Sequence, residues 1–173
     1  MVVYARLYKA HDRLTKWYIN FEWMQSNALK IWIKFMKAAV RWVDDVMFLA
    51  ESGSGHTVTI DGPDSEGGRN VGFRPMEMIL MGLGGCASFD LIKILRKSRQ
   101  SVENCIAHVE AKRADELPSV FTDIHVHFVI SGDSVKEAHV KRAIELSAEK
   151  YCSASIMLGR GGVNITYDYE ITK

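Results

Sequence analysis

Two cysteines are the residues of this chain best suited to chemistry. Cys86 ends a small, apolar run that begins at Pro75 and carries one acid, Glu77, and Cys152 lies far along the chain beside the small residues 153–155. A thiolate attacks peroxides and disulfides, and the sulfenic acid that forms can condense with a second thiol. If two helices cross at these small-residue faces, the thiols approach disulfide range, about 5.5–6 Å between Cα atoms.

Activation of Cys86 would need a cation. The residue lies about three turns into a predicted helix, where the helix dipole helps little. The candidates are Arg41, Arg69 and Arg74, or a residue of a second subunit. Glu77 could orient such an arginine over the thiolate, or it could simply be a first-turn acid that favours the helix. Cys86 itself could instead be a small core residue, because buried free cysteines are common.

The other polar residues indicate no further site. His125 and His127 fall on one face of a predicted strand, a spacing that can bind metal, but no third ligand is apparent, and an exposed strand face is the preferred interpretation. Cys105 is interpreted as a structural strand residue. The glycine-rich turns match neither the phosphate-loop nor the dinucleotide fingerprint. We therefore predict no metal and no cofactor.

Length, charge and cysteine content limit the classes to which this protein can belong. The chain has 173 residues, 47% of them apolar and 25% charged, which predicts one globular domain. A net charge of +1 argues against partners such as nucleic acid or anionic membranes. No uninterrupted apolar run is long enough to span a bilayer. Three widely spaced cysteines without a CxxC pair favour reduced thiols and a cytoplasmic location.

Periodicity predicts the elements that must position the thiols. Residues 1–35, rich in aromatic and basic side chains, are interpreted as an N-terminal extension, and residues 36–173 as the domain. Alternating or β-rich segments predict six strands: 39–43, 47–50, 56–60, 105–113, 121–131 and 163–171. Asp44 and Asp45 are predicted to turn between the first two strands, so that the first three form an antiparallel meander.

Two helices complete the order βββ-α-ββ-α-β, an α+β fold. The first runs from about Pro75, which suits a first helical turn, to Ser98, and its apolar content exceeds one stripe. The glycines at 82, 84 and 85 predict that another backbone approaches closely. A capping box, Ser134 with Glu137, predicts the start of a second helix that runs past Cys152 and ends near Gly159.

The segments around both cysteines resemble the OsmC/Ohr family, in its YhfA-like branch. The resemblance covers about residues 36–173 and rests on Pro75-Met76-Glu77-Met78 leading to Gly84-Gly85-Cys86, on the run 91–95, and on Ala148-Glu149-Lys150-Tyr151-Cys152-Ser153. Two positions depart from the family pattern. Met76 follows the proline where relatives have the catalytic glutamate, and Asp44-Asp45 occupy the loop that carries their arginine.

The resemblance implies an OsmC-like fold, with two central helices wrapped by antiparallel sheets in an intertwined homodimer. It also implies a thiol peroxidase that reduces organic hydroperoxides. Cys86 matches the peroxidatic cysteine and Cys152 matches the resolving cysteine. Glu77 corresponds to the catalytic glutamate, but it stands one residue later than in relatives. A cellular dithiol would be the reductant. Two alternatives remain open: a dimer of this fold that binds a small apolar ligand without turnover, and a redox sensor.

Overall fold

A computed structural model describes residues 36–172, so the predicted extension 1–35 lies outside the described residues. The described chain folds into six strands and three helices. The strands are β1 Ala38–Asp44, β2 Met47–Ser52, β3 Thr57–Ile60, β4 Asn104–Arg113, β5 Phe121–Ser131 and β6 Asn164–Thr172. The helices are α1 Pro75–Lys97, α2 Glu137–Leu146 and α3 Ser153–Arg160. A 3-10 turn (Asp64–Glu66) precedes α1, and a π turn (Ser147–Tyr151) joins α2 to α3.

The first sheet is the predicted antiparallel meander, in the order β1-β2-β3. Its first turn is one residue later than predicted, because Asp44 ends β1 and Asp45 turns with a positive φ of 42°. A short polar side chain tolerates this left-handed conformation. Strand β1 is solvent-exposed along its whole length.

The second sheet has the order β4-β5-β6, and its central strand β5 supplies Phe121, Ile124, Val126, Phe128 and Ile130 to the core. Strands β4 and β5 are antiparallel, with Val109 opposite Val126. Strand β6 pairs parallel to β5, with Val126 beside Tyr167, so the prediction of wholly antiparallel sheets is wrong for this strand. The reason is the connection: the chain crosses over through α2 and α3 before it returns to the sheet, and such a crossover brings the next strand back parallel.

Helix α1 begins at Pro75 as predicted and buries one stripe against the second sheet and the later helices. The buried stripe consists of Leu83, Gly84, Ala87, Leu91 and Leu95. Among the described elements, α1 is the one long and apolar enough to cross a membrane by length and composition. A core helix passes the same test, and the packed stripe favours that interpretation.

The second helical region differs most from the prediction. The Ser134 capping box does not form: Ser134 has φ 60° and its hydroxyl donates to the Asp133 carboxylate, while helix α2 starts after Lys136. The Lys136 backbone N–H donates instead to the Gln100 side chain, 2.9 Å away. The helix then widens into the π turn and restarts as α3 rather than running through Cys152.

Candidate thiol site

Cys86 lies on α1 next to the buried stripe and is half-buried. The glycine at 84, on the neighbouring stripe, lets the helix approach β4, because a Cβ there would stand 3.0 Å from the Val109 side chain. Gly82 and Gly85 have nothing within 4 Å of such a Cβ, and Gly84 meets a side chain, so no backbone of the described chain makes the close approach predicted at these three glycines. Asp90 follows Cys86 by four residues and therefore shares its helix face.

Cys152 is fully buried and stands where the π turn meets α3. Its backbone N–H donates to the Ser147 carbonyl (2.8 Å), closing the π turn, and its backbone becomes extended. Its sulfur then caps α3 by accepting the Ser155 N–H at 3.5 Å. The Ser147 hydroxyl donates to the Ala87 carbonyl, 3.3 Å away on α1, and fixes the turn beside Cys86. Single π turns inside helical segments often occur at functional sites.

The structure brings the two predicted thiols together. The sulfur atoms of Cys86 and Cys152 and a carboxylate oxygen of Asp90 all lie within 4.8 Å of one another. Cys105, by contrast, is in β4 opposite Ile130, as its structural interpretation expects. The three cysteines are free thiols, so the pair stands in its reduced form.

Ser155 and Tyr167 complete the surroundings of Cys152. The two hydroxyls share a hydrogen bond of 2.6 Å, which ties α3 to β6. Burial raises the pKa of the Cys152 thiol, an effect that hydrogen bonds from Ser155 partly offset. Burial also raises the pKa of Tyr167. The buried surroundings therefore favour the neutral forms of the Cys152 thiol and the Tyr167 hydroxyl.

Each of the three arginines proposed as activators pairs with a carboxylate. Arg41 lies 3.3 Å from Glu51, and Arg69 pairs with Asp44. Glu77 accepts the Arg74 backbone N–H (2.9 Å) and pairs with its guanidinium (3.2 Å).

The Arg74 backbone N–H and, after it, the guanidinium lower the pKa of Glu77. Nine helical residues separate Glu77 from Cys86, a rise of about 13.5 Å along α1. The Arg74–Glu77 pair is therefore too far along the helix to touch the thiol of its own chain.

Asp90, Ser155 and Tyr167 are the site residues that sequence reasoning missed. Asp90 carried a usable signal, because an acid four residues after a candidate cysteine shares its helix face. Ser155 and Tyr167 carried none, since their meeting depends on the π turn and on the parallel pairing of β6.

Two grooves open at the start of α1. One, of about 490 Å³, runs along α1 and β4 past Leu80, Met81, Gly85 and Ser88, and Cys86 is not among the residues that line it. The other, of about 620 Å³, lies between the first sheet and the beginning of α1 and includes Phe48, Phe121 and Arg113. Glu77 lines both. Their walls are mainly apolar, which suits an apolar ligand.

His125 and His127 project from the outer face of the second sheet, as predicted. His127 Nδ1 lies 2.5 Å from Asp168, and His125 Nε2 lies 3.2 Å from the same carboxylate. His127 is the main cause that lowers the pKa of Asp168. This cluster is on the opposite side of the sheet from the thiols, so it takes no part in their chemistry.

Slow alkylation of Cys152 is expected from its raised pKa. At pH 8 the native protein holds a smaller thiolate fraction at Cys152 than the unfolded chain, and only the thiolate reacts. Iodoacetamide should therefore modify Cys152 at least about tenfold more slowly in native protein than in guanidinium, with the rate still rising above pH 9. Peptide mass spectrometry at a series of pH values measures this. Equal rates in the two states would contradict the buried, neutral thiol.

Comparisons with known proteins identify the family of this chain. The family described as "OsmC-like protein" matches residues 65–168. The chain is 45% identical over 136 residues to the protein YhfA of Escherichia coli K12, covering 79% of this chain and 98% of YhfA.

Two solved structures illustrate the shared fold. The OsmC-like protein from Mycoplasma pneumoniae aligns with a TM-score of 0.70 at 18% identity, covering 80% of this chain and 98% of that one. The organic hydroperoxide resistance protein OhrB of Bacillus subtilis aligns with a TM-score of 0.54 at 18% identity, covering 79% and 98%. The chain therefore belongs to the OsmC/Ohr family.

Proposed function

We propose that this protein is a cysteine-based peroxidase that reduces organic hydroperoxides through a Cys86–Cys152 disulfide. The observation that carries the proposal is the approach of the two sulfur atoms to within 4.8 Å of each other. Two thiols this close need only small side-chain movements to reach bonding distance. Hydroperoxide as the substrate is supported by the fold shared with an organic hydroperoxide resistance protein.

Accessibility supports Cys86 as the attacking thiol and Cys152 as the resolving thiol. Cys86 is half-buried, whereas Cys152 is fully buried, so a peroxide reaches Cys86 first. The Cys86 thiolate attacks the outer oxygen of ROOH, the O–O bond breaks, and the alkoxide takes a proton to leave as ROH. Cys86 is then a sulfenic acid, oxidised by the two electrons that the peroxide gained.

Cys152 completes the cycle. Its sulfur displaces hydroxide from the Cys86 sulfenic acid, the S–S bond forms, and the Cys152 proton leaves with the hydroxide as water. A dithiol then attacks the disulfide, releases both thiols and departs as its own disulfide. The half-buried Asp90 carboxylate faces both sulfurs and is the described group best placed to accept and return the proton.

A stoichiometric peroxide pulse tests the proposal. One equivalent of cumene hydroperoxide should remove two free thiols per chain and leave one disulfide-linked pair of peptides, containing Cys86 and Cys152. Cys105 should remain alkylatable and serves as the internal control. Non-reducing peptide mapping after rapid alkylation measures all three cysteines. Reduced thiols at both positions after a several-fold excess of peroxide would refute the proposal.

The second candidate, a ligand-binding protein with inert thiols, is favoured by the charge around Cys86. The Asp90 carboxylate lies within 4.8 Å of both sulfurs, an anion does not promote thiolate formation, and the three candidate arginines are paired elsewhere. In that case the same pulse leaves the thiols intact. An apolar fluorophore would still bind in the grooves beside α1.

We also propose a homodimer, because α1 exposes apolar surface that one chain does not cover. Phe89 is 67% exposed, Met81 and Ile79 are also exposed, and the neighbouring Gly82 and Gly85 leave room for a second backbone. Strand β1 exposes Val40, Trp42 and Val43 as well. Several large apolar side chains exposed on two elements favour an interface with a second chain. If the Arg74–Glu77 pair acts on a thiol, it must do so across this interface.

Sedimentation velocity should show a dimer at micromolar concentration. Phe89→Glu places a charge in the exposed apolar face, so it should shift the population towards monomer by about tenfold or more in the dissociation constant. Val120→Glu, at an exposed apolar position in the connection between β4 and β5, is the matched control and should leave the dimer intact. A wild-type protein that sediments only as a monomer would contradict the proposal.

A further inference from the structure

The reduced thiol site has the composition of a metal centre. Cys86, Asp90 and Cys152 each offer one ligand atom, and the three atoms lie within 4.8 Å of one another. Among residues 36–172 no other group of three His, Cys, Asp or Glu side chains meets that distance. Asp90 is half-buried and makes no ion pair with any described side chain, so its carboxylate is available as a ligand.

The chemistry of the three donors selects the ion. Two thiolates with one carboxylate suit a thiophilic divalent cation such as Zn²⁺ rather than Mg²⁺ or Ca²⁺, which prefer oxygen ligands. Zinc bonds of about 2.3 Å to sulfur and 2.0–2.2 Å to oxygen place tetrahedral ligands roughly 3.5 Å apart. Side-chain rotations that move the ligand atoms by about an ångström would therefore close the site around an ion.

The supports of the ligands are also in place. The Ser155 N–H contacts the Cys152 sulfur (3.5 Å), and the Ser147 hydroxyl holds the Cys152 segment against α1 (3.3 Å). Groups of this kind orient metal ligands. Three protein ligands leave the fourth tetrahedral position to water, the arrangement of open zinc sites.

We propose that the reduced protein binds one Zn²⁺-like ion per chain through Cys86, Asp90 and Cys152. Binding releases the two thiol protons. The ion and the peroxide then compete for the same sulfurs, because a disulfide leaves neither sulfur as a thiolate ligand. When the bound form is oxidised, the two thiolates, one ROOH and two protons are consumed. The products are the disulfide, ROH and water, and the ion is released. This binding shares the thiols with the proposed peroxidase but does not depend on turnover.

Co²⁺ is the appropriate probe, because thiolate-to-cobalt charge-transfer absorption reports sulfur ligands directly. Reduced protein titrated with Co²⁺ should develop this absorption at one equivalent per chain and lose it when Zn²⁺ is added. The signal also separates the site from weak binding to His125 and His127, which supply no sulfur. Absence of the absorption in fully reduced protein would overturn the proposal.

Asp90→Asn tests the third ligand without removing a sulfur. We expect it to weaken Zn²⁺ binding, measured in competition with a chelating dye, by about tenfold or more. The matched control is Asp123→Asn, which changes an exposed carboxylate in β5 and should leave the affinity unchanged. Equal affinities of wild type and Asp90→Asn would overturn the assignment of Asp90.

The two proposals fail separately. A protein that reduces hydroperoxide but gives no charge-transfer absorption refutes the metal site and keeps the peroxidase. A protein that gives the absorption, with the Asp90→Asn effect, but keeps both thiols after a peroxide pulse in chelator refutes the peroxidase and keeps the metal site.

Discussion

Cys86→Ser is expected to lower dithiol-dependent reduction of cumene hydroperoxide by about 100-fold or more. A serine hydroxyl does not ionise near neutral pH and cannot form a sulfenic acid, so the first step of the cycle is lost. The replacement is nearly isosteric at a half-buried position, so the fold should be retained. Peroxide consumption under a fixed excess of dithiol measures the effect, with circular dichroism to verify folding.

Two other cysteine variants separate the roles. Cys105→Ser removes a thiol from β4 and should leave the rate within about twofold of wild type. Cys152→Ser should still react once with peroxide and then hold Cys86 as a sulfenic acid that a dimedone-type reagent traps. A Cys86→Ser protein with unchanged turnover would show that the reaction uses another group.

Leu91→Ala is expected to cost about 2–5 kcal/mol of unfolding free energy. Leu91 is 0% exposed in the centre of the α1 stripe, in the same core as Phe128 and Val140. Truncation removes apolar contacts and leaves a cavity that the packed sheet and helices only partly close. Urea denaturation at one fixed protein concentration measures the loss, since a dimer would make the midpoint depend on concentration.

Leu117→Ala is the matched control for this experiment. The chemical change is identical, but Leu117 is 93% exposed in the connection between β4 and β5. We expect a change within about 0.5 kcal/mol. Similar losses in the two variants would show that the α1 stripe is not the centre of the core.

The sequence was sufficient to predict the bounds of elements whose local residue pattern matches their burial. Strand β5 spans the predicted Phe121–Ser131, and from Ile124 onwards buried residues alternate with half-buried ones, the pattern that the sequence shows. Helix α1 starts at the predicted Pro75 because its missing N–H costs nothing in the first turn. The parallel pairing of β6 had no local signal, since it depends on where the crossover returns the chain.

The region from Ser134 to Gly159 shows why local rules fail at a site. Ser134 has the composition of a cap, yet its positive φ turns it away and the Gln100 side chain takes over the contact with Lys136. The buried positions 140, 143, 144 and 147 repeat as in a single helix, but the next buried position is 152 rather than 151, because the π turn adds one residue, or about 100° of rotation. The cysteines at 86 and 152 were found from their type and family resemblance, whereas the π turn that joins them was not visible.

The Cys152 sulfur also accepts the first-turn N–H of Ser155 in α3, so it has a structural role in addition to its proposed redox role. Moving that sulfur towards Cys86 lengthens its contact with the Ser155 amide, and Ser155 in turn holds the Tyr167 hydroxyl of β6. If the proposed disulfide forms, we therefore expect the change at Cys152 to reach β6 through Ser155 and Tyr167. Deuterium uptake at the Ser155 amide should then rise as the fraction of oxidised Cys86–Cys152 pairs increases.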